Sequence, residues 1–416
     1  MNFEQNNIGK INTYEEKINK SLEKEKKEKE AYESNLLIFV KECIDDPSVN
    51  KNHLMRGLCG IESEAADELR LKLIEGGGIG GESVSIGLIG SDSPESWGIR
   101  NQLIDSDNEG ILTKNVVRSI YSLNSSQALE VRKKCIDEYS SWKVFDHEAL
   151  HEMLLGLRGL DDKESWEFRN FGLTTDMFRT VLCHTLNGLD SDEAWELRKK
   201  FSLADSDDLF YLSKQIYGLD SNEAWSMREK MGDEYCLQSL QGVDNEKSNL
   251  KRNSLLESNP KDVAISLCEC NSPESFEIRK KIFDNIINSE KEKFDNNAFD
   301  ERDKKGLIMW HLLRSLKGLD SNEAWELRNN AFENRHICDG QFISWGFRDS
   351  VCGVDSKESW DFIEKIKQEY GNLFINMMNY NSQRAWEERR KILQSGDLIN
   401  FCFQDSILLR NSQIKK

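Results

Sequence analysis

The phrase Gly188-Leu-Asp-Ser-Asp-Glu-Ala-Trp-Glu-Leu-Arg198 returns along this chain at a nearly regular interval, and that recurrence limits the possible folds more than any other feature. It comes back almost unchanged as Gly218 to Arg228 and Gly318 to Arg328, and in looser form as Gly159 to Arg169, Gly90 to Arg100 and Gly353 to Ile363. Degenerate copies begin at Gly60, Ser122, Gly242, Glu269 and Asn379, so neighbouring starts lie 24 to 49 residues apart. A unit of about 30 residues holds two short helices, and it buries its apolar face only by stacking on a neighbour.

The phrase reads as a helix boundary. Gly188 supplies the left-handed residue that ends one helix, with Leu189 as the apolar contact of the cap. Asp190 and Glu193 form an Asp-x-x-Glu capping box, which predicts that helix A starts at Asp190 with acidic groups at its positive end. Ala194, Leu197 and Phe201 then fall on one face, which Trp195 broadens.

Helix B precedes the glycine and carries its own regularity. Two places back, every copy has an apolar residue: Leu58, Leu88, Ile120, Leu157, Leu186, Ile216, Leu240, Leu267, Leu316, Val351 and Met377. Six places back stand further residues of the same face, such as Leu54, Val84, Leu182, Leu212 and Leu312. Three places back the residue is usually Gly or Ser, as close approach of neighbouring helices requires.

These patterns predict an all-α chain, a right-handed-type α-solenoid of about 11–12 two-helix repeats of about 30 residues over 37–410. A Lys/Glu-rich helix or arm precedes it over 1–36, an insertion near 280–306 lengthens one unit, and 411–416 form a tail. In architecture the array resembles the α-solenoid class of HEAT, armadillo and tetratricopeptide repeats. The HEAT type, with its Asp and Arg ladder between neighbours, is the nearest. The resemblance carries over no functional residues.

Composition removes several function classes. The net charge of -18 disfavours general affinity for nucleic acid or anionic membrane. No apolar run approaches the roughly 18–20 residues that cross a bilayer. Met1 to Lys10 lacks the pattern of a secretory signal, and the 10 cysteines show no disulfide-scaffold spacing, which predicts a cytoplasmic protein.

Two motifs point to chemistry on paper. His147-Glu148-Ala149-Leu150-His151 is a literal HExxH, which on a zincin helix binds zinc through both histidines with the glutamate as base. Its flanks, Asp146 and Glu152, are those of an exposed helix B, and no third histidine follows at metzincin spacing. Gly76 to Gly81 satisfies GxGxxG but follows a helix instead of a strand, so it reads as a loop. Cys268 and Cys270 read as buried free thiols. No catalytic residue, metal or cofactor is assigned, with His147 and His151 kept as a zinc-hydrolase alternative.

The recurring Trp97, Trp166, Trp195, Trp225, Trp325, Trp360 and Trp386 read as core. The arginine three residues later (Arg70, Arg100, Arg132, Arg169, Arg198, Arg228, Arg279, Arg328 and Arg389) is expected to pack on the tryptophan and pair with a neighbour's acidic cap. Recognition belongs instead to positions that vary while the scaffold repeats, four and eight places before the glycine. These include Arg56, Arg118, His151, His184, Phe210, Lys214, Trp310, Arg314 and Trp345. The expected function is a non-enzymatic scaffold that holds a protein or peptide along the helix-B face, with nucleic-acid binding as the alternative.

Overall fold

A computed structural model describes residues 23–24, 26–106, 113–140, 147–174, 179–201, 203, 205–288, 298–338, 340–371 and 380–395. Among the described residues the chain is all-helical, without a strand. Helix α1 covers 26–43. The helices that lead into the glycine position are α2 (Lys51–Gly57), α4 (Gly81–Leu88), α6 (Lys114–Ser119), α8 (His147–Leu155), α10 (Arg179–Thr185), α12 (Ser206–Gln215), α14 (Asp233–Gln238), α16 (Pro260–Ser266), α18 (Ala298–Arg314) and α20 (Gly340–Ser350). Those that start within the phrase are α3 (Glu64–Glu75), α5 (Pro94–Ser106), α7 (Ser126–Ser140), α9 (Lys163–Leu173), α11 (Asp192–Arg198), α13 (Asn222–Lys230), α15 (Glu246–Leu255), α17 (Pro273–Asn288), α19 (Asn322–Glu333), α21 (Lys357–Tyr370) and α22 (Gln383–Ser395).

Each even-numbered helix packs on the next even-numbered one without a break from α2 to α20. The apolar stripe makes this contact: Leu58, Leu88, Leu157, Leu186, Ile216, Leu240, Leu267, Leu316 and Val351 have no solvent exposure. The small residues work as their spacing implies, since a Cβ on Gly87 would stand 2.6 Å from the Met55 carbonyl oxygen.

The glycine position has positive φ in every described copy, from +71° at Gly218 to +80° at Gly353. Ser122 (φ 61°) and Glu269 (φ 65°), which replace glycine in two degenerate copies, adopt the same conformation at a steric cost that glycine avoids. These turns also meet one another. Gly60, Gly218, Gly242 and Gly318 donate their N–H to the carbonyls of Ile89, Gln241, Cys268 and Cys352, each one residue before the next unit's turn, at 2.8–3.0 Å. A Cβ on Gly90 would lie 3.1 Å from the Gly60 Cα.

The phrase arginine is the deepest polar element. Arg70, Arg100, Arg132, Arg169, Arg198, Arg252, Arg279 and Arg328 are fully buried. Arg198 donates from Nη2 to the carbonyls of Leu186 (2.8 Å) and Leu189 (2.6 Å) in its own unit and of Gln215 (3.3 Å) in the next. Arg100, Arg169, Arg252, Arg279 and Arg328 bridge two units in the same way. The acceptors are end-of-helix carbonyls, which lack intrahelical donors and form the negative pole of the helix. The guanidinium also lies over the preceding indole, 4.3 Å from the ring centre for Arg198 on Trp195 and Arg328 on Trp325. Burial lowers the pKa of Arg100, Arg132, Arg169, Arg198, Arg228, Arg279 and Arg328 to about 10.

Two expectations change here. Carbonyls, not a neighbour's acidic cap, hold most of these arginines among the described residues, whereas Arg70 also pairs with Asp67 of its own helix at 2.6 Å. The helix cap falls one residue later than the capping box suggests: Ser191 is the N-cap of α11, and Ser221 and Ser321 accept from Ala224 and Ala324. The aspartate is thereby released for another task. Asp190 accepts the Trp195 indole N–H at 2.8 Å and the Ser221 hydroxyl of the next unit at 2.9 Å. Asp92, Asp161, Asp320 and Asp355 couple their own tryptophan to the following serine likewise.

The insertion near 280–306 is built partly as lengthened helices, with α17 and α18 spanning 16 and 17 residues. The part at 289–297 lies outside the described residues, as do 1–22 of the N-terminal arm and the tail. Helix α1 is continuous across residue 36 and buries Tyr32, Leu36, Phe39 and Val40. It meets the far end of the chain. Trp386 of α22 lies 5.5 Å from Tyr32 and 5.2 Å from Phe39, Arg390 pairs with Glu42, and Asn35 donates to Asn381 at 3.0 Å. Asn381 also accepts the Trp386 indole N–H, so Asn35 takes the part that the next unit's serine plays elsewhere.

Two stability changes follow. Ser122→Gly should raise the free energy of unfolding by about 0.5–1 kcal/mol, because glycine relieves the left-handed strain, whereas Gly90→Ala should lower it. Arg198→Met should cost about 2–4 kcal/mol through three orphaned buried carbonyls and lost packing. Urea denaturation followed by far-UV circular dichroism measures both.

Candidate interaction surface

Positions four and eight before the glycine lie one turn apart on the even-numbered helices, away from the apolar stripe. The structure sorts the residues there into three groups. The first is neutralised. Arg56 donates to the Ser83 hydroxyl at 3.0 Å and pairs with Glu82 at 3.5 Å, while Arg118 spans Glu82 (3.3 Å) and Glu152 (2.5 Å). The Glu152 hydrogen bond holds the Arg118 pKa above the ordinary arginine value.

The HExxH segment adjoins this group on α8. Lys114 pairs with the Glu148 carboxylate and keeps its pKa below the usual glutamate range. His151 is exposed, and the side chain of His147 lies outside the described residues. Among the described residues no three His, Cys, Asp or Glu side chains converge as a metal site. Gly77 and Gly78 sit at positive φ in the loop between α3 and α4.

The second group joins α10 and α12. His184 meets Tyr211 edge-on at 5.8 Å, Tyr211 meets Phe210 at 5.5 Å, and the Lys214 ammonium lies 3.9 Å from the Phe210 ring centre. Phe210 keeps 38% of its surface exposed. Partial desolvation, followed by the charges of Lys214, Arg158 and His151, pushes the His184 pKa down. Desolvation and the Arg314 charge push the Lys214 pKa down. Lys214 lies on α12 and Arg314 on α18. Among the described residues no carboxylate pairs with Arg158, Lys214 or Arg314.

The third group is aromatic and lies on α18 and α20. Trp310 stacks on His311 at 4.8 Å and contacts Phe342 and Trp345 at 6.2 and 5.7 Å. Its indole N–H donates to Asp349 at 3.1 Å. His311 is mostly buried there, and desolvation with the Arg314 and Lys261 charges lowers its pKa to about 4.

Thus Lys214, His184 and Phe210 are brought together with Arg314 nearby, and Trp310 with Trp345, while Arg56 and Arg118 are tied up in ion pairs. Sequence reasoning missed Arg158, Tyr211, His311 and Phe342. Arg158 stands one place before Gly159, in the turn that follows α8, where helical spacing does not reach. Arg252 was missed in the scaffold because Asn249 replaces the tryptophan, although it stands ten residues after Gly242 as Arg198 does after Gly188.

The described cysteines are free thiols, and among the described residues no helix is long and apolar enough to cross a membrane. No family model, curated protein or solved structure matches this chain.

His311 gives the protein an acid sensitivity. Its proton is taken up by the unfolded chain near pH 6.5 but by the folded chain only near pH 4, so stability is full above pH 6.5 and falls towards pH 4. The loss should approach about 2–3 kcal/mol, and His311→Gln should flatten it in urea melts across that range.

Proposed function

We propose that this chain is a non-enzymatic scaffold, an α-solenoid of two-helix units whose even-numbered helices hold a protein or peptide segment along their inward face. The carrying observation is Lys214 on that face, its ammonium 3.9 Å from the centre of the partly exposed Phe210 ring and no carboxylate paired to it among the described residues, in a protein of net charge -18. A cation beside an exposed aromatic ring suits a ligand better than a core.

The uninterrupted packing from α2 to α20 supports the stacked array. The recurring polar residues are spent on the Asp and Arg ladders and are unavailable to a ligand, which leaves the varying positions to recognise one. A peptide fits the face better than a base-stacking strand. Trp310, Phe342 and Trp345 are engaged with one another, and Asp349 on the indole places a negative charge where a phosphate would come. The free, mostly buried thiols support a reducing compartment such as the cytoplasm.

Panning a displayed random peptide library on the intact protein tests this reading. Wild type should enrich a family of related sequences that Lys214→Glu/Arg314→Glu fails to retain. Enrichment of none, or equal retention by the variant, overturns it.

A further inference from the structure

We infer that the unit opened by Gly188 is a hinge built into the array, where the joints of α8 with α10 and of α10 with α12 yield to bending while the later joints stay rigid. The hinge does not depend on what the even-numbered helices bind.

Its cause lies at the position three before each turn. That residue faces the preceding unit so closely that only a small one fits: a Cβ on Gly87 would stand 2.6 Å from the Met55 carbonyl oxygen, and one on Gly156 would stand 2.8 Å from the Tyr121 ring. Thr185 and Gln215 occupy this position in two successive units, whereas the other described copies have Gly or Ser. Both larger side chains are buried, so they separate the helices between which they lie.

The bonds across these two joints are correspondingly long. Arg169 reaches the Thr185 carbonyl and Arg198 the Gln215 carbonyl at 3.3 Å. The equivalent bonds of Arg100, Arg228, Arg252, Arg279 and Arg328 measure 2.7–3.0 Å. The turns show the same relaxation. Gly188 donates to the Gln215 carbonyl at 3.4 Å, against 2.8–3.0 Å at Gly60, Gly218, Gly242 and Gly318. A Cβ on Gly90, Gly242 or Gly353 would lie 3.1–3.5 Å from the preceding glycine's Cα, but one on Gly188 would meet nothing within 4 Å. Hydrogen bonds at 3.3–3.4 Å fall beyond the usual range and are weaker.

Polar groups at the second joint are also unmatched. At four other joints the arginine Nε donates to a serine hydroxyl at 2.9–3.2 Å. Gln215 replaces that serine, and among the described residues neither its amide nor the Arg198 Nε has a partner. Buried groups left so weaken the joint that contains them. Helix α11 adds little stiffness, since its 7 residues make it the shortest described helix that starts within the phrase. Low local stability concentrated in a few residues is what a hinge requires. The ring contact of His184 on α10 with Tyr211 on α12 spans this place, so bending changes the spacing of the two helices that carry the patch around Phe210.

Hydrogen exchange read by mass spectrometry on the full chain tests the hinge, with Gln215→Ser as the variant. Serine restores the small residue and the missing acceptor, so the variant is expected to fold. In wild type the amides of α10 and α12 should exchange at least about tenfold faster than those of α14 and α16, and Gln215→Ser should slow the α12 amides by about tenfold. Bending is read separately by spin labels carried on unnatural residues at the equivalent positions Glu167, Ser226 and Glu277. The distance distribution from 167 to 226 should be broader than that from 226 to 277, and Gln215→Ser should narrow it. Uniform exchange across α10 to α16, equal widths for the two pairs, or indifference of both readouts to Gln215→Ser overturns the inference.

Discussion

A buried guanidinium clamped between the ends of two successive helices is the interaction on which this architecture depends. Helix ends carry carbonyls with no donor of their own, and a stack of short helices concentrates many of them in its interior. A single Arg198 answers carbonyls from two units at once and rests its plane on Trp195. Lysine, with a compact ammonium, has neither the fork nor the flat face for this. Removing a positive charge from water is expensive, and the lowered pKa records that cost. It is offset by the helix dipoles and the indole quadrupole that converge on the same point. Neighbouring units therefore cannot slide without breaking an arginine's bonds.

The aspartate ladder outside it works at the surface of the same joint. Because Ser191 and its equivalents cap the helix, Asp190 is free to tie its own tryptophan to the next serine. Arginine ties the units in the interior and aspartate nearer the surface. With both joints made from recurring residues, the residues between them on the even-numbered helices are relieved of structural duty.

Periodic features were legible in the sequence. The glycine register marks the left-handed turn in each described copy, including Ser122 and Glu269, because the backbone requires that conformation whatever residue stands there. In the described copies the apolar residues two and six places before it are buried as their spacing implies, Met377 lying outside the described residues. Choices among equivalent donors and acceptors were not legible. Asp190 and Ser191 are both good caps, and only the position of Trp195 over the joint decides which becomes one. The arginine's partners were hidden for a related reason: backbone carbonyls exist at every position, so no sequence pattern advertises them. Within the candidate site, local spacing selected Lys214 and Arg314 separately. The ion pairs that silence Arg56 and Arg118 come from contacts between units, which local spacing does not reveal.

The meeting of α1 with α22 changes what kind of object the array is. An open stack has two free ends, and gaining or losing a unit in the middle alters its length alone. Here Asn35 completes a bond that belongs to the series, and Tyr32 and Phe39 cover Trp386. The described helices near the two ends of the chain are therefore packed on one another. An added or deleted unit would leave those ends facing the wrong way, with two apolar surfaces uncovered. A change that separates α1 from α22 would thus expose both surfaces at once, the aromatic pair of one and the indole of the other.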